Sequence, residues 1–143
     1  MIIKTRHTGL VVRDISVSIE FYEKLGLEVW RRENETGKFI SQVVGLKNAE
    51  IETAKLKVPD GSLLELLEYK SHPAKVTADI YSTNKHGCSH VAFTVEDVEE
   101  MSLKIVQFGG SLVNAPAVSA NGLVKVMYCH DPDGILIEMV EEL

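Results

Sequence analysis

An internal repeat limits the fold of this chain more than any other feature of its sequence. Residues 7–14 (HTGLVVRD) and residues 90–97 (HVAFTVED) both have the pattern His-x-x-h-x-Val-x-Asp, where h is an apolar residue. A glycine follows each copy at the same distance, so Gly26 and Gly109 are separated by the same 83 positions as the two histidines. A single duplication of this length predicts two related modules, because a solenoid needs shorter and more numerous repeats.

A second repeated segment closes each module. Residues 59–68 (PDGSLLELLE) and 132–141 (PDGILIEMVE) share the pattern Pro-Asp-Gly-x-Leu-h-Glu-h-h-Glu, at an offset of 73 positions. The first module therefore carries ten more residues than the second between its glycine and its Pro-Asp-Gly turn. With 143 residues, the chain is long enough for one domain with a full core. We expect a single domain with module one over about 5–69, a linker over about 70–87 and module two over about 88–143.

Each module begins with the same predicted strand and helix. Asp14 and Asp97 are expected to be helix N-caps, because a carboxylate can accept the free amide hydrogens of a first turn. Gly26 and Gly109 are expected to be C-terminal caps, where a positive φ costs glycine little. Apolar residues recur between these caps at helical spacing. They are Ile15, Ile19, Tyr22 and Leu25 in module one, and Val98, Met101, Ile105 and Phe108 in module two.

Three strands are expected to follow each helix, and module one has four candidate segments for them. In module one they are placed near Glu28–Arg32, Phe39–Gly45 and Glu52–Val58, with Ser62–Tyr69 as the last piece. Pro-Asp-Gly is typical of a turn, so the strand that carries Glu65 is expected to close a hairpin. The predicted fold class is α+β, with two βαβββ modules.

The repeat also matches two histidines and two glutamates. Residues two positions apart on a strand share a face, so each His lies on the face opposite the apolar residues that suit contact with a helix. Each matched Glu is centred in an apolar run, where a carboxylate is costly unless it is paired or bound to a metal. Any one of these residues alone is best explained as a satisfied core histidine or an edge-strand charge. The set of four, His7, Glu65, His90 and Glu138, instead predicts a site for one divalent ion, with positions left for water or substrate.

Composition argues against several other classes of protein. The formal net charge is −6 and no dense run of Lys and Arg is present, so nucleic acid is not an expected partner. No apolar stretch approaches the roughly 18–20 residues of a membrane helix. The first seven residues turn polar too early for a secretory signal. We therefore expect a cytoplasmic protein with no membrane partner, in which Cys88 and Cys129 are not joined in a disulfide.

These segments resemble the vicinal oxygen chelate superfamily of glyoxalases, bleomycin-resistance proteins and extradiol dioxygenases. The resemblance rests on residues 7–14, Phe21-Tyr22, Leu25-Gly26, 89–93 and 131–138, and it extends over nearly the whole chain. It implies paired βαβββ modules whose mixed sheets curl around a metal. It also implies that the metal ligands are the first-strand His and the last-strand Glu of each module, which here are the four residues named above. Among members, the chain is most similar to glyoxalases and methylmalonyl-CoA epimerases.

The resemblance also implies a type of chemistry. Members of the superfamily use a divalent metal to stabilise an enolate or oxyanion on neighbouring oxygens, and Zn, Ni, Co, Mn and Fe all remain candidates for that metal. We expect a metal-dependent lyase or isomerase/epimerase that abstracts a proton α to a carbonyl or thioester of a small-molecule substrate. Glu138 is the expected base. A homodimer is expected, with each site built from one chain or from two.

Two alternatives to a lyase or isomerase/epimerase remain open, an iron-dependent extradiol dioxygenase and a metal-free binding protein, because the chain departs from the patterns of its nearest families. Glyoxalase I typically binds glutathione through an Arg and an Asn at positions that are Val11 and Tyr69 here, and epimerases commonly have a second His where this chain has Ser89. Iron-dependent extradiol dioxygenases usually lack a carboxylate at the position of Glu65. A metal-free small-molecule or antibiotic-binding (resistance) protein would have little reason to keep all four ligand types. The sequence does not identify the substrate, and Tyr128 is a candidate to face it.

Overall fold

Each half of the internal repeat folds into its own unit. The computed structural model describes residues 1–73, 75, 83–84 and 86–143, and its two units are Met1–Lys75 and Val76–Leu143. The predicted linker over 70–87 therefore lies in part outside the described residues. None of the helices in the described ranges is both long and apolar enough to cross a membrane.

The first unit is a four-stranded mixed sheet with two helices. Its elements in chain order are β1 (Thr8–Val11), α1 (Ile15–Lys24), β2 (Glu28–Thr36), α2 (Lys38–Val44), β3 (Glu50–Lys57) and β4 (Leu63–Tyr69). The strand order is β1-β4-β3-β2, in which β1 runs parallel to β4 and the other pairs are antiparallel. Helix α1 buries Ile15, Ile19 and Tyr22, and the sheet contributes Leu10, Ala54, Leu56, Leu64 and Leu66 to the core. The apolar stripe predicted from the sequence is therefore the face of α1 that packs inward.

The second unit repeats this arrangement with shorter middle strands. Its elements are β5 (Val91–Thr94), α3 (Val98–Gln107), β6 (Ser111–Leu112), β7 (Ala117–Val118), β8 (Val124–His130) and β9 (Leu136–Glu142). The strand order is β5-β9-β8-β6, with β7 also paired to β8, and β5 runs parallel to β9. Together the two units confirm the predicted α+β class and the duplicated βαβββ modules.

The predicted helix ends are confirmed in both units. The Asp14 carboxylate accepts hydrogen bonds from the amides of Ser16 and Val17, and the Asp97 carboxylate accepts one from Glu100. Gly26 and Gly109 adopt φ values of 102° and 95°, where a side chain would be strained.

The second glutamate of each Glu-h-h-Glu segment caps the helix of its own unit. Glu68 Oε2 accepts a hydrogen bond of 2.9 Å from the amide of Ile15, and Glu141 Oε2 accepts one of 2.9 Å from the amide of Val98. These amides belong to the first turns of α1 and α3, where a backbone N–H group has no hydrogen-bond partner within the helix. The repeated Glu is therefore explained by helix capping and not by metal ligation.

One predicted strand is wrong. Residues 39–45 were expected to form a strand, but Lys38–Val44 is helix α2. Gly37 and Gly45 flank this helix with φ values of 93° and 71°. Ile40 and Val44, one helical turn apart, pack into a small apolar cluster with Ile51, whereas Phe39 and Val43 on the other side are exposed. The β-branched residues that suggested a strand serve here as one face of a short helix, so tertiary packing outweighs local propensity.

The two cysteines are both free thiols, and they differ in burial. Cys88 is exposed, whereas Cys129 is completely buried in β8. Burial, with a smaller contribution from the nearby Asp131 carboxylate, raises the pKa of the Cys129 thiol to about 12. Cys129 is therefore an inert core residue and not a nucleophile.

Candidate metal centre

The first His–Glu pair lies at the start of the parallel strand pair of unit one. His7 directly precedes β1, and Glu65 lies on β4, where the register pairs it with Gly9. His7 and Gly9 lie on the same face of β1 because they are two positions apart. The His7 imidazole therefore reaches the carboxylate, and His7 Nε2 lies 2.9 Å from Glu65 Oε2.

The second pair has the same backbone frame. His90 directly precedes β5, and Ala92 is the register partner of Glu138 on β9. His90 Nε2 lies 3.2 Å from Glu138 Oε2. The small residues Gly9 and Ala92 stand beside the two carboxylates, which leaves room for the imidazoles. The structure thus brings together His7 with Glu65 and His90 with Glu138, as the repeat predicted.

The spacing within each pair fits ligation of a divalent ion. Imidazole nitrogen and carboxylate oxygen bind such ions at about 2.0–2.2 Å, so two neighbouring ligands of one ion lie about 3 Å apart. The distances of 2.9 Å and 3.2 Å match this separation. Neither carboxylate is fully enclosed, since the side chains of Glu65 and Glu138 are 11% and 23% exposed. In each unit the pair therefore offers one nitrogen and one oxygen donor at a spacing that fits a metal.

The two imidazoles differ in what holds their other nitrogen. Ser89 Oγ lies 2.7 Å from His90 Nδ1, and the ring of Tyr128 packs edge-on against His90 with centroids 5.2 Å apart. His7 Nδ1 is buried and has no hydrogen-bond partner among the described residues. A partner on the second nitrogen orients a ligating imidazole and makes it more basic. Of the two candidate ligands, His90 is therefore the better oriented.

A lysine that the sequence analysis missed lies against the first carboxylate. Lys55 Nζ is 3.1 Å from Glu65 Oε1, because β3 and β4 pair these two residues directly. At the matching position of unit two, β8 pairs Tyr128 with Glu138. A hairpin register centred on the Asp of each Pro-Asp-Gly turn would have identified both neighbours from the sequence.

Helix α2 covers one end of the face that carries Glu65. The β3–β4 register places Ile51 beside Tyr69 and Lys55 beside Glu65, so all four share a face of the sheet. Ile51 and Tyr69 belong to the cluster on which α2 packs. Helix α2, which has no counterpart in the described part of unit two, therefore covers one end of the face that carries Glu65.

A separate acidic group has a structural explanation. Carboxylate oxygens of Asp97, Glu99 and Glu141 lie within 4.8 Å of one another. However, Lys125 Nζ lies 2.8 Å from Glu99, Glu141 caps α3, and Asp97 is the N-cap residue of the same helix. The hydrogen bond to Glu99 raises the pKa of Lys125, with burial opposing it. These contacts account for the cluster as a capped and neutralised helix N-terminus.

Comparison with known proteins establishes the family. The family model of the Glyoxalase/Bleomycin resistance protein/Dioxygenase superfamily matches residues 4–139. The chain therefore belongs to this superfamily.

Individual relatives point in the same direction. A lactoylglutathione lyase from Escherichia coli O157:H7 is 29% identical over 138 residues, which cover 95% of this chain and 90% of that protein. A probable lactoylglutathione lyase from Synechocystis sp. is 27% identical over 141 residues, covering 94% and 92%. The crystal structure of a glyoxalase family protein from Bacillus cereus superposes with a TM-score of 0.92 at 30% identity, covering 100% of this chain and 96% of that one.

Proposed function

We propose that this protein is a divalent-metal-dependent lyase or isomerase/epimerase that removes a proton α to a carbonyl or thioester. The observation that carries the proposal is the pair of repeat-matched His–Glu contacts at 2.9 Å and 3.2 Å. We propose that His7, Glu65, His90 and Glu138 together bind one ion per chain. Bound there, the metal would supply stabilisation of negative charge on the oxygen next to the reacting carbon.

Glu138 is the better placed of the two glutamates to act as the base. Glu65 is held on both oxygens, by His7 on Oε2 and by Lys55 on Oε1. Glu138 makes one ion pair among the described residues, with His90 through Oε2. Its Oε1 atom is therefore available to take a proton from the substrate and return it. A positioned base of this kind contributes roughly 10²–10⁴-fold to the rate.

The names of the relatives favour the lyase reaction, but the glutathione contacts of glyoxalase I are not matched. Val11 and Tyr69 occupy the two positions at which that family typically places an Arg and an Asn. Val11 is largely exposed, and Tyr69 packs into the cluster under α2. Neither side chain offers a cationic donor to a peptide carboxylate. We therefore propose that the substrate is a carbonyl compound or thioester other than a glutathione adduct.

The first test is metal content. Protein loaded separately with Zn, Ni, Co, Mn and Fe(II) should retain about one equivalent of at least one metal after gel filtration, measured by elemental analysis. The variants His7→Gln and His90→Gln should each lose most of it. His72→Gln is the matched control, because His72 is exposed and contacts Ser71 outside the site. Retention below about a tenth of an equivalent for every metal would contradict the proposal.

The second test is proton exchange. Metal-loaded protein is incubated in deuterated water with a panel of 2-substituted acyl thioesters and α-hydroxy carbonyl compounds, and exchange at the α-carbon is followed by NMR. We expect metal-dependent exchange into at least one compound. No exchange across the panel, together with rapid iron-dependent oxygen uptake on catechols, would place the chain among the dioxygenases instead.

A further inference from the structure

Lys55 occupies an unusual position for a charged side chain. It lies in the middle of β3, on the same face of the sheet as Glu65, and its side chain is only 22% exposed. Its ammonium group has three donors, and among the described residues its one ion pair is with Glu65. By contrast, Lys70 at the end of the same sheet is shared between Glu52 and Glu68. The Lys55 ammonium group therefore has N–H donors left that could bind a further acceptor.

A second cation stands next to Lys55. The β2–β3 register pairs Arg31 with Lys55, because a bulge at Trp30 turns the strand between Val29 and Arg31. Paired residues on neighbouring strands point to the same face, so Arg31 and Lys55 are adjacent on the ligand-bearing side. Arg31 contacts Glu33 at 2.6 Å and is more than half exposed, so its guanidinium is open to solvent.

Neutralisation of Glu65 alone does not explain Lys55. In unit two, the matched Glu138 has Tyr128 and not a cation as its cross-strand neighbour. A ligand glutamate in this frame therefore does not require a lysine. A lysine also works against metal binding, since its charge repels a divalent ion on the shared carboxylate. Its presence calls for a role that offsets this cost.

We propose that Lys55 and Arg31 form an oxyanion-binding subsite that holds a negatively charged group of the substrate, a carboxylate or a phosphate, beside the metal ligands of unit one. Glu65 lies at the Lys55 end of this subsite, with its Oε1 atom 3.1 Å from the ammonium group. With a divalent ion bound, Glu65 would direct its charge to that ion, and Lys55 would be free to bind the substrate. The subsite deepens the proposed function by giving its substrate class, an anionic carbonyl compound or thioester, and to that extent rests on it.

The subsite can be tested without turnover. Inorganic phosphate and acetate are titrated separately into the full-length protein by calorimetry, both after chelator treatment and after metal loading. In metal-free protein, Glu65→Gln should tighten anion binding about tenfold, because it removes the internal competitor for Lys55. The double variant Glu65→Gln/Lys55→Met should lose that gain, and Lys55→Met should weaken anion binding to the loaded protein by a similar factor. Preference for phosphate or acetate identifies which group the subsite accepts.

Lys104→Met is the matched control. Lys104 is a half-exposed lysine on α3 that is paired with Glu100, and its removal should leave anion binding unchanged. If Lys55→Met only lowers the free energy of unfolding and leaves both anion titrations unchanged, Lys55 is a structural counter-charge and the subsite does not exist. If the Glu65→Gln gain persists in the double variant, the anion binds elsewhere and the inference is also wrong. Because the metal-free arm needs no metal, failure of the metal or exchange tests is distinguishable from failure of the subsite.

Discussion

The two modules place their His–Glu pairs with the same backbone frame. In each, the His directly precedes the first strand and a small residue two positions later pairs with the Glu, Gly9 with Glu65 and Ala92 with Glu138. Each closing strand then supplies a second glutamate, Glu68 or Glu141, to the helix N-terminus. These shared features depend only on register and on residues within the repeat, so both copies retain them.

The neighbours of the two pairs are different. In unit one, Lys55 lies beside Glu65 and His7 Nδ1 has no partner among the described residues. In unit two, Tyr128 is the cross-strand neighbour of Glu138, and Ser89 lies beside His90 Nδ1. Helix α2 further sets unit one apart by covering part of its ligand-bearing face.

Because their neighbours differ, the glutamates of the two modules suit different roles. The carboxylate of unit one is restrained on both oxygens and adjoins a cation, which suits a fixed ligand next to a charged part of a substrate. The carboxylate of unit two has one paired oxygen and an aromatic neighbour, which suits a group that must take and return a proton. The duplication thus provides two copies of one backbone arrangement, and we propose that the different neighbours give each copy a different role.

The largest expected effect separates the two glutamates. Glu138→Gln should reduce α-proton exchange by roughly 10²–10⁴-fold, because an amide can still coordinate a metal but cannot accept the proton. Glu65→Gln should reduce exchange less, because its proposed role is ligation and an amide oxygen can still coordinate. Both rates are measured by NMR in deuterated water and are divided by the metal content of each preparation. Equal rates for wild type and Glu138→Gln, with metal bound, would show that Glu138 is not the base.

The second prediction concerns the partners of the two imidazoles. Ser89→Ala should weaken metal binding by about 10–100-fold, since it removes the hydrogen-bond partner that orients His90. Ser71→Ala is a close control, because Ser71 Oγ lies 2.8 Å from Nδ1 of the adjacent, exposed His72 in the same sequential arrangement. Competition with a fluorescent chelator measures both affinities. If Ser89→Ala and Ser71→Ala changed the metal affinity equally, the hydrogen bond to His90 would not distinguish His90 from His7 as a ligand.

The sequence predicted the parts of this arrangement that depend on local pattern. Periodicity located both helices of the repeat, and composition at their ends located Asp14 and Gly26 and their copies. The pairing of each His with its Glu followed from repeat matching and strand alternation.

The features that were missed depend on contacts between distant segments. Residues 39–45 are too few and too rich in β-branched side chains for a helical pattern to stand out, and the packing of Ile40 on Ile51 decides the outcome. The proximity of Lys55 to Glu65 depends on the hairpin register, which requires knowing the turn geometry as well as the turn residues. The contact between Ser89 and His90 depends on the rotation of the His90 ring.

The smallest expected effect tests whether the helix-capping glutamates of the two modules contribute equally to stability. Glu68→Ala and Glu141→Ala should each lower the free energy of unfolding by about 1 kcal/mol, because each removes a carboxylate that caps a helix. The changes should be local when followed by amide hydrogen exchange. Glu68→Ala should speed exchange at Ile15 and leave Val98 unchanged, and Glu141→Ala should do the reverse. Ser16 remains capped by Asp14 and serves as an internal control.

Glu68 also pairs with Lys70 at 2.6 Å, whereas Glu141 lies 4.0 Å from Lys125. A clearly larger loss of stability for Glu68→Ala would therefore show that the ion pair with Lys70 adds to the cap. Equal losses would mean that the helix cap alone accounts for the repeated glutamate in both modules.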